Sequence, residues 1–393
     1  MINVNRNIIS GARILVNQHW VENSALIIDE GIIKAIIPTS MIKHHLPAKQ
    51  YNYPANYVLV PGFIDLHIHG ADGKDVMDDS ELAFKTIAHA LAEEGVTGYL
   101  ATTMTAAEDK IASVLTKAAH VMQDNEGAAL LGVHLEGPFI AAEKVGAQRL
   151  KYARSPNSAL VQQWQKLSKG IIKLITLAPE LPEALSLIET LVQMGIVVSV
   201  GHSNATYEET QAAIEAGCTH ATHLFNAMRG IHQREPGTVT ALLLSDRVMT
   251  EVIVDGVHLH PAIVKLTLEL KHKEHMLLIT DAIRAKCLGD GHYDLAGQQV
   301  EVANGRVSLA DGRLAGSILR MPQAIKNMMQ FTHCELSEAI LMASYNPACV
   351  LKLQEHKGSI EVGKDADLVV MDADLDVVLT MRGGREVFNK GRE

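Results

Sequence analysis

The chain has 393 residues, of which 47% are hydrophobic and 4% aromatic, and its formal net charge is -10. This composition is typical of a globular protein with one large domain and room for a smaller one. The acidic balance, without a dense block of lysine and arginine, argues against a nucleic-acid partner. No apolar run is long enough to span a bilayer, so we expect no membrane partner.

Cysteine usage and the first residues both favour the cytoplasm. Residues 1–7 lack the long apolar core of a secretion signal. The cysteines form no Cys-x-x-Cys pair, which argues against a disulfide framework and against a zinc ribbon. They are scattered along the chain, at Cys218, Cys287, Cys334 and Cys349. We therefore expect a cytoplasmic protein.

The two ends of the chain carry β patterns. Segments 25–28 and 32–37 are rich in β-forming residues and are separated by a turn, which predicts a hairpin. Similar patterns return after Gly358. We expect residues 1–57 and 355–393 to pair into one small β-sandwich domain formed by both termini.

From Val58 onwards, short apolar runs alternate with helical patterns, which predicts βα units around a parallel sheet. The predicted strands are 58–64, 98–103, 130–135, 171–178, 196–200, 219–222, 252–254 and 276–280. Eight strands separated by helices fit an α/β fold, a (β/α)8 TIM-like barrel that occupies residues 58–354. A doubly wound open sheet is the rival fold, but it would not explain polar residues at so many successive strand ends.

Those polar residues begin with a histidine pair. His67 and His69 lie two positions apart, so in a strand their side chains point to the same face and can converge on one ion. Later predicted strands end in Glu136, His202, His223 and Asp281. Because barrel active sites lie at the carboxyl ends of the strands, we expect these six side chains to meet.

Imidazole and carboxylate ligands suit divalent Zn, Fe, Mn or Co, with zinc first among them. We expect one or two ions per subunit, with Glu136 bridging two groups: His67, His69, Glu136 and Asp281 in one, and Glu136, His202 and His223 in the other. Two close ions would lower the pKa of a shared water and polarise a carbonyl group. Asp281 would then act as general base and return the proton, as general acid, to a leaving nitrogen.

Three further residues have less specific signals. His134 shares the strand face of Glu136 and is either its supporting partner or a buried core histidine. Arg234 and His258 follow the sixth and seventh strands and suit a phosphate or carboxylate on a ligand, although a surface salt bridge would also explain Arg234. No glycine-rich phosphate loop follows a strand, which argues against a nucleotide ligand.

The sequence Pro61-Gly62-Phe63-Ile64-Asp65-Leu66-His67-Ile68-His69-Gly70 resembles the signature of the amidohydrolase superfamily. Later motifs resemble, in the same order, those of the N-acetylglucosamine-6-phosphate deacetylase family, over residues 58 to 320. These motifs are His134-Leu135-Glu136-Gly137-Pro138-Phe139, Leu177-Ala178-Pro179-Glu180, Gly201-His202-Ser203-Asn204-Ala205-Thr206, His223-Leu224-Phe225-Asn226-Ala227-Met228, Arg234-Glu235-Pro236-Gly237, Asp255-Gly256-Val257-His258, Thr280-Asp281-Ala282 and Leu314-Ala315-Gly316-Ser317.

The resemblance implies hydrolysis of the acetamide of N-acetylglucosamine 6-phosphate, which yields glucosamine 6-phosphate and acetate. By the family pattern, the core metal ligands are Glu136, His202 and His223, and Asp281 is the acid/base. Some family members replace the His67/His69 pair and use one metal. This chain keeps both histidines, which predicts a two-metal site.

The resemblance also implies the substrate contacts. It places Asn226 and Ala227 near the phosphate, and it pairs the phosphate with His258 and with Arg234 from the neighbouring subunit of a homodimer. The sugar would be lined by Ala147, Gln148, Leu314, Ala315 and Gly316. Some members carry histidine where this chain has Gln148, which leaves the choice between the glucosamine and galactosamine epimers open.

Two other classes of function remain as alternatives at this stage. A cyclic amidase or nucleobase deaminase would share the fold and the metal ligands, but the motifs around Asn226, Arg234 and His258 speak against it. A catalytically inactive barrel that acts as an interaction protein should have lost metal ligands, and this chain retains all of them.

Overall fold

The computed structural model describes residues 6–42, 48–122 and 126–392. Residues 1–5, 43–47, 123–125 and 393, which fall within the domains predicted above, lie outside these ranges. The N-terminal part forms the short strands β1 (Arg6–Ser10), β2 (Arg13–Val16), β3 (His19–Val21), β4 (Ser24–Asp29), β5 (Ile32–Pro38), β6 (Lys49–Asn52) and β7 (Val58–Pro61).

The barrel begins at β8 (Phe63–Ile68), which is followed by a hairpin of β9 (Gly70–Ala71) and β10 (Lys74–Asp75). The other barrel strands are β11 (Val96–Thr103), β12 (Ala129–Glu136), β13 (Ile172–Leu177), β14 (Val197–Val200), β15 (His220–Ala221), β16 (Met249–Ile253) and β17 (Met276–Ile279). Neighbours pair in parallel in chain order. The ring closes where Asp281 N donates to His67 O at 2.9 Å, so the predicted (β/α)8 barrel is confirmed.

Helices cover the outside of the barrel strands with buried apolar faces. In α1 and α3, Phe84 and Trp164 are each 1% exposed. A capping box between Thr206 and Glu209 begins α5 four residues after His202. The helices are α1 (Glu81–Ala92), α2 (Glu108–Val121), α3 (Ser158–Leu167), α4 (Ala184–Gln193), α5 (Tyr207–Glu215), α6 (Gly237–Leu243) and α7 (Pro261–Lys271).

After β17 the chain forms a three-stranded antiparallel sheet, here named the β-flap: β18 (Gly291–Leu295), β19 (Gln298–Ala303) and β20 (Arg306–Leu309). Regular strands form because Val300, Val302 and Val307 supply an alternating buried face. The remaining elements are α8 (Met321–Thr332), α9 (Leu336–Ala343), α10 (Tyr345–Val350), β21 (Leu368–Met371), β22 (Val377–Arg382) and β23 (Arg385–Asn389). Among the described residues, no helix has the length and apolar character needed to cross a membrane.

Both termini contribute to a β-sandwich, as predicted. One sheet has the strand order β5-β4-β1-β6 and the other has the order β23-β22-β21-β7-β2-β3. Ile9 and Leu26 of the first sheet belong to the same buried apolar cluster as Leu59 and Leu368 of the second. Burial of this shared face holds the N-terminal and C-terminal strands together.

The sequence predicted 58–64 as one barrel strand, and this prediction is wrong in detail. β7 pairs with β2 and β21 in the sandwich, whereas β8 pairs with β11 in the barrel. The break falls at Gly62, where a Cβ atom would lie 2.3 Å from Thr97 Oγ1. Only glycine fits this close approach. We propose that the two domains divide at Gly62 and not at residue 58.

A buried ion pair links the end of the first βα unit to the loop that follows the last barrel strand. Lys286 Nζ lies 2.8 Å from Glu94 Oε2, and both side chains are fully buried. Glu94 also accepts hydrogen bonds from Arg320 Nε and Met321 N, each at 3.1 Å. One carboxylate therefore connects α1 to the segment that begins α8.

We expect Glu94→Gln to lower the free energy of unfolding by about 3 kcal/mol, because the change leaves Lys286 buried without its counter-charge. Urea unfolding followed by circular dichroism measures the change. Glu93→Gln, at the exposed neighbouring position, is the matched control and should stay within about 0.5 kcal/mol of the wild type. Equal effects of the two substitutions would contradict a specific role for the buried pair.

Candidate metal centre and substrate pocket

A pocket of about 370 Å³ opens at the carboxyl ends of the barrel strands. This is the end at which barrel enzymes bind their ligands. Among the predicted site residues, those that line it are His69, Glu136, Ala147, Gln148, His202, His223, Asn226, Ala227, His258, Asp281, Leu314 and Gly316. His67 and Ala315 are fully buried, whereas Arg234 is exposed and is not among the lining residues.

One group of ligands surrounds a single carboxylate oxygen. Glu136 ends β12, and its Oε1 lies 3.0 Å from His202 Nε2 and 3.1 Å from His223 Nε2. The two histidine Nε2 atoms are themselves 3.2 Å apart. Three ligand atoms thus face one point, as a tetrahedral site with one open position requires.

A second group shares Glu136 with the first. His69 Nε2 lies 3.3 Å from Glu136 Oε2 and 3.2 Å from Asp281 Oδ1. His67 Nε2 lies 3.4 Å from the same Asp281 oxygen and 3.6 Å from Glu136 Oε1. The predicted set of six side chains is therefore brought together at the pocket floor, with Glu136 between the two groups.

The candidate ligands that follow the strands adopt unusual backbone conformations. His202, His223 and Asp281 have φ values of 48°, 30° and 46°, in the left-handed region that non-glycine residues rarely occupy. Each lies just beyond the end of β14, β15 or β17. Such conformations cost about 1–3 kcal/mol each and cluster at functional sites, where the surrounding structure holds them.

The hydrogen bonds of three histidines determine which ring nitrogen faces the centre. His202 Nδ1 donates to Lys144 O at 2.9 Å, and His69 Nδ1 donates to Thr102 O at 3.2 Å. His67 Nδ1 bonds to Glu251 Oε2 at 2.9 Å. Because these partners are acceptors, the neutral rings carry their proton on Nδ1 and direct an Nε2 lone pair at the carboxylates. The Nε2 lone pairs and the carboxylate oxygens therefore face each other at a separation that fits a cation bound between them.

The pKa values of His69 and Asp281 agree with a site that attracts a cation. Burial lowers the pKa of His69, but hydrogen bonds to Asp281 and Glu136 outweigh it and raise the pKa to about 9. For Asp281, burial raises the pKa, and the charge of His67 and the bond to His69 outweigh this effect and lower it to about 2. The carboxylates thus attract positive charge, which protons supply in the metal-free molecule and which divalent ions would supply otherwise.

Glu251, a residue that the sequence analysis missed, lies below the centre. It is fully buried in β16, and its Oε2 accepts hydrogen bonds from His67 Nδ1 and from His223 N. Burial raises its pKa, but the adjacent charge of His67 outweighs this effect and lowers the pKa to about 2. A single acidic residue within the apolar run 249–254 was the available signal.

Two predicted residues, Gln148 and His134, make side-chain hydrogen bonds inside the protein. Gln148 Nε2 donates to Glu136 Oε2 and its Oε1 accepts from Thr105 N, both at 2.6 Å. His134 is fully buried and bonds through Nε2 to Thr176 Oγ1 at 2.6 Å. Burial, together with the charge of His67, lowers its pKa well below the usual range. His134 is therefore a neutral core histidine below the centre.

The outer part of the pocket is polar. His258 Nδ1 bonds to Asp255 Oδ2 at 2.7 Å, which leaves Nε2 as the ring nitrogen available to a ligand. Lys144 and Arg313 also line the pocket, although the sequence analysis singled out neither. Arg313 Nη1 donates to Gly146 O at 2.5 Å and therefore connects the β20 side of the pocket to the segment that precedes Gln148.

Comparison with known proteins identifies relatives over most of the chain. A model of the amidohydrolase family matches residues 58–387. The N-acetylglucosamine-6-phosphate deacetylase of Lysinibacillus sphaericus is 43% identical over 83% of this chain and 84% of its own. The N-acetylgalactosamine-6-phosphate deacetylase of Escherichia coli O157:H7 is 38% identical over 94% of this chain and 96% of its own.

Solved structures give the same result. A variant of the Mycobacterium smegmatis N-acetyl-D-glucosamine-6-phosphate deacetylase, in complex with N-acetyl-D-glucosamine 6-phosphate, superposes with a TM-score of 0.91 and 32% sequence identity. The match covers 98% of this chain and all of that one. The chain therefore belongs to the amidohydrolase family and, within it, to the N-acetylglucosamine-6-phosphate deacetylases.

Proposed function

We propose that this protein hydrolyses the acetamide of N-acetyl-D-glucosamine 6-phosphate and releases D-glucosamine 6-phosphate and acetate. The observation that carries the proposal is the convergence of four histidine Nε2 atoms on Glu136 and Asp281 at the floor of the pocket. The family relationship supplies the substrate, because relatives of this chain are N-acetylglucosamine-6-phosphate deacetylases.

Charge balance supports two divalent ions. Glu136, Asp281 and Glu251 are buried carboxylates, and their ion-pair partners are histidine rings. Two divalent ions would bring four positive charges to these three negative charges, whereas one ion would leave a negative charge buried. The nitrogen and oxygen ligands suit zinc first. When bound, the ions activate a water molecule and polarise the acetamide carbonyl.

Asp281 is the acid/base in this proposal. Its pKa of about 2 leaves it ionised at neutral pH, so it can accept the proton of the attacking water as the new C–O bond forms. It then delivers that proton to the amide nitrogen as the C–N bond breaks. The products are acetate and the free amine. Its left-handed backbone, with φ of 46°, aims the carboxylate into the pocket from the end of β17.

The rest of the pocket orients the sugar phosphate. We assign the phosphate end to His258 Nε2, with Asn226 and the backbone of Ala227 beside it, because these residues line the same pocket as the candidate metal ligands. The sugar-lining residues in this proposal are Ala147, Gln148, Leu314, Ala315 and Gly316. A phosphorylated sugar does not cross membranes unaided, which favours a cytoplasmic enzyme.

Arg234 completes the phosphate site in trans in this proposal. It is exposed on the loop before α6 and does not line its own pocket. Ile231 on the same loop and Leu244 at the end of α6 are 56% and 60% exposed. A homodimer that buries this face would cover the exposed apolar residues and carry Arg234 to the neighbouring pocket.

Acetate release from N-acetylglucosamine 6-phosphate by zinc-loaded protein tests the proposed function. The galactosamine epimer and unphosphorylated N-acetylglucosamine are measured alongside. We expect turnover of the phosphorylated sugars only, and loss of turnover after chelation. The Escherichia coli relative makes the galactosamine epimer the second candidate substrate, and the ratio of the two kcat/KM values decides between them. No acetate from either phosphorylated sugar would contradict the proposal.

We expect Asp281→Asn to lower kcat by about 10²–10⁴-fold, because the amide cannot accept the proton of the attacking water. Binding of the sugar phosphate, measured by calorimetry, should persist, since the pocket residues that hold the phosphate are unchanged. Loss of substrate binding together with turnover would contradict the assigned role.

We expect Arg234→Ala to raise KM about 10- to 100-fold, with little change in kcat, because a charge-assisted hydrogen bond to the phosphate is lost. Co-expression of this variant with Asp281→Asn distinguishes action in trans from action in cis. Mixed dimers contain one intact site if Arg234 acts across the interface, so about a quarter of wild-type activity at low substrate should return. No recovery in the mixed sample would place Arg234 outside the neighbouring site.

A further inference from the structure

Glu251 occupies a position that the proposed chemistry does not use. It is fully buried in the middle of β16, on the inside of the barrel, below the pocket floor. It does not line the pocket, so it cannot contact a bound substrate. Its partners nevertheless include one ligand from each of the two metal groups.

One oxygen of Glu251 makes both of these contacts. Oε2 accepts a hydrogen bond from His67 Nδ1 at 2.9 Å and another from His223 N at 3.1 Å. The two contacts differ in kind, because the first involves a ring nitrogen and the second involves only the backbone. Glu251 therefore orients the ring of His67 directly. At His223 it contacts only the backbone N–H and does not contact the ring.

The consequence for His67 is specific. With Nδ1 bonded to Glu251, the ring directs Nε2 towards Asp281 Oδ1, at 3.4 Å. This Nε2 atom is buried and has no hydrogen-bond partner among the described residues. A carboxylate on the far nitrogen of a histidine ligand fixes the tautomer and the ring orientation, and it increases the basicity of the nitrogen that binds the ion.

The charge of Glu251 acts in the same direction. The other polar groups near its carboxylate are the buried rings of His134 and His220, and His220 Nε2 lies 3.7 Å from Oε1. Of the rings around Glu251, His67 is the one at hydrogen-bond distance from the carboxylate, and its other nitrogen faces Asp281 Oδ1. The charge of Glu251 therefore favours positive charge on the side of the second metal group.

We propose that Glu251 is a positioning residue that determines whether the group of His67, His69 and Asp281 retains a metal ion, while the group of Glu136, His202 and His223 retains its ion without it. The inference rests on the two-ion centre of the proposed function. It adds that the second ion depends on a carboxylate that touches neither ion nor substrate.

Glu251→Gln tests this inference, because the amide keeps the size and the acceptor oxygen of the carboxylate but removes its charge. Metal-free wild type and variant are titrated with Zn²⁺ in competition with a chelator, and the bound zinc per subunit is measured after dialysis. We expect the wild type to bind two ions. The variant should bind the first ion within about threefold of the wild-type affinity and the second about 10- to 100-fold more weakly.

Two further variants separate this role from general damage to the core. Glu94→Gln removes the charge of a buried carboxylate that does not line the pocket, and it should retain both ions despite its lower stability. His67→Asn should lose the same second ion as Glu251→Gln. Because Glu251 acts through His67, adding Glu251→Gln to His67→Asn should change zinc affinity no further, as a double-mutant cycle would reveal. The absorption spectrum of Co²⁺-loaded protein provides a second measure of whether each of the two ion positions is occupied.

Either of two results overturns the inference: Glu251→Gln binds both ions within about threefold of the wild type, or it loses both to the same extent. A wild-type protein that binds only one ion overturns the inference as well, together with the two-ion centre, and the wild-type titration shows this separately. None of these zinc-binding measurements depends on acetate release. Failure of the proposed substrate is therefore distinguishable from failure of the role of Glu251.

Discussion

Buried negative charge is the constraint on which the rest of this site depends. Glu136, Asp281 and Glu251 lie at or below the pocket floor, and the groups within ion-pair distance of them are histidine rings. Unpaired carboxylates in a protein interior cost several kcal/mol each. The barrel therefore places an imidazole against every one of them, and it leaves the Nε2 atoms directed at the point where positive charge is most strongly stabilised.

The barrel also supplies the rigidity that such an arrangement needs. Three of the candidate ligands follow strand ends in left-handed backbone conformations, which persist only when the surrounding structure holds them. For Asp281, the closure of the barrel provides this, since its N–H bonds to His67 O and its carbonyl accepts from Ser317 N. The same hydrogen bonds that close the barrel therefore set the position of Asp281, the proposed acid/base.

The segment 144–149 connects the candidate metal centre to the β-flap. Its Lys144 carbonyl accepts from His202 Nδ1, and Gln148 donates to Glu136 Oε2. On its other side, the carbonyl of Ala147 accepts from Gln298 Nε2 at 2.7 Å, and Arg149 Nη1 donates to Ala296 O at 3.0 Å. This segment therefore contacts both the β-flap and two of the candidate ligands, His202 and Glu136. It couples the shape of the pocket mouth to the geometry of those side chains.

The barrel, the sandwich at the termini and the six candidate ligands were predictable from the sequence, because strand periodicity and polar residues at strand ends are local signals. The folded structure was needed to show that β7 joins the sandwich, that Gln148 contacts Glu136, and that Arg234 lies outside its own pocket. It also brought Glu251 to His67, 184 residues away in the chain. Periodicity indicates which face of a strand a residue occupies, but the partner across the barrel depends on closure of the ring, which no local pattern records.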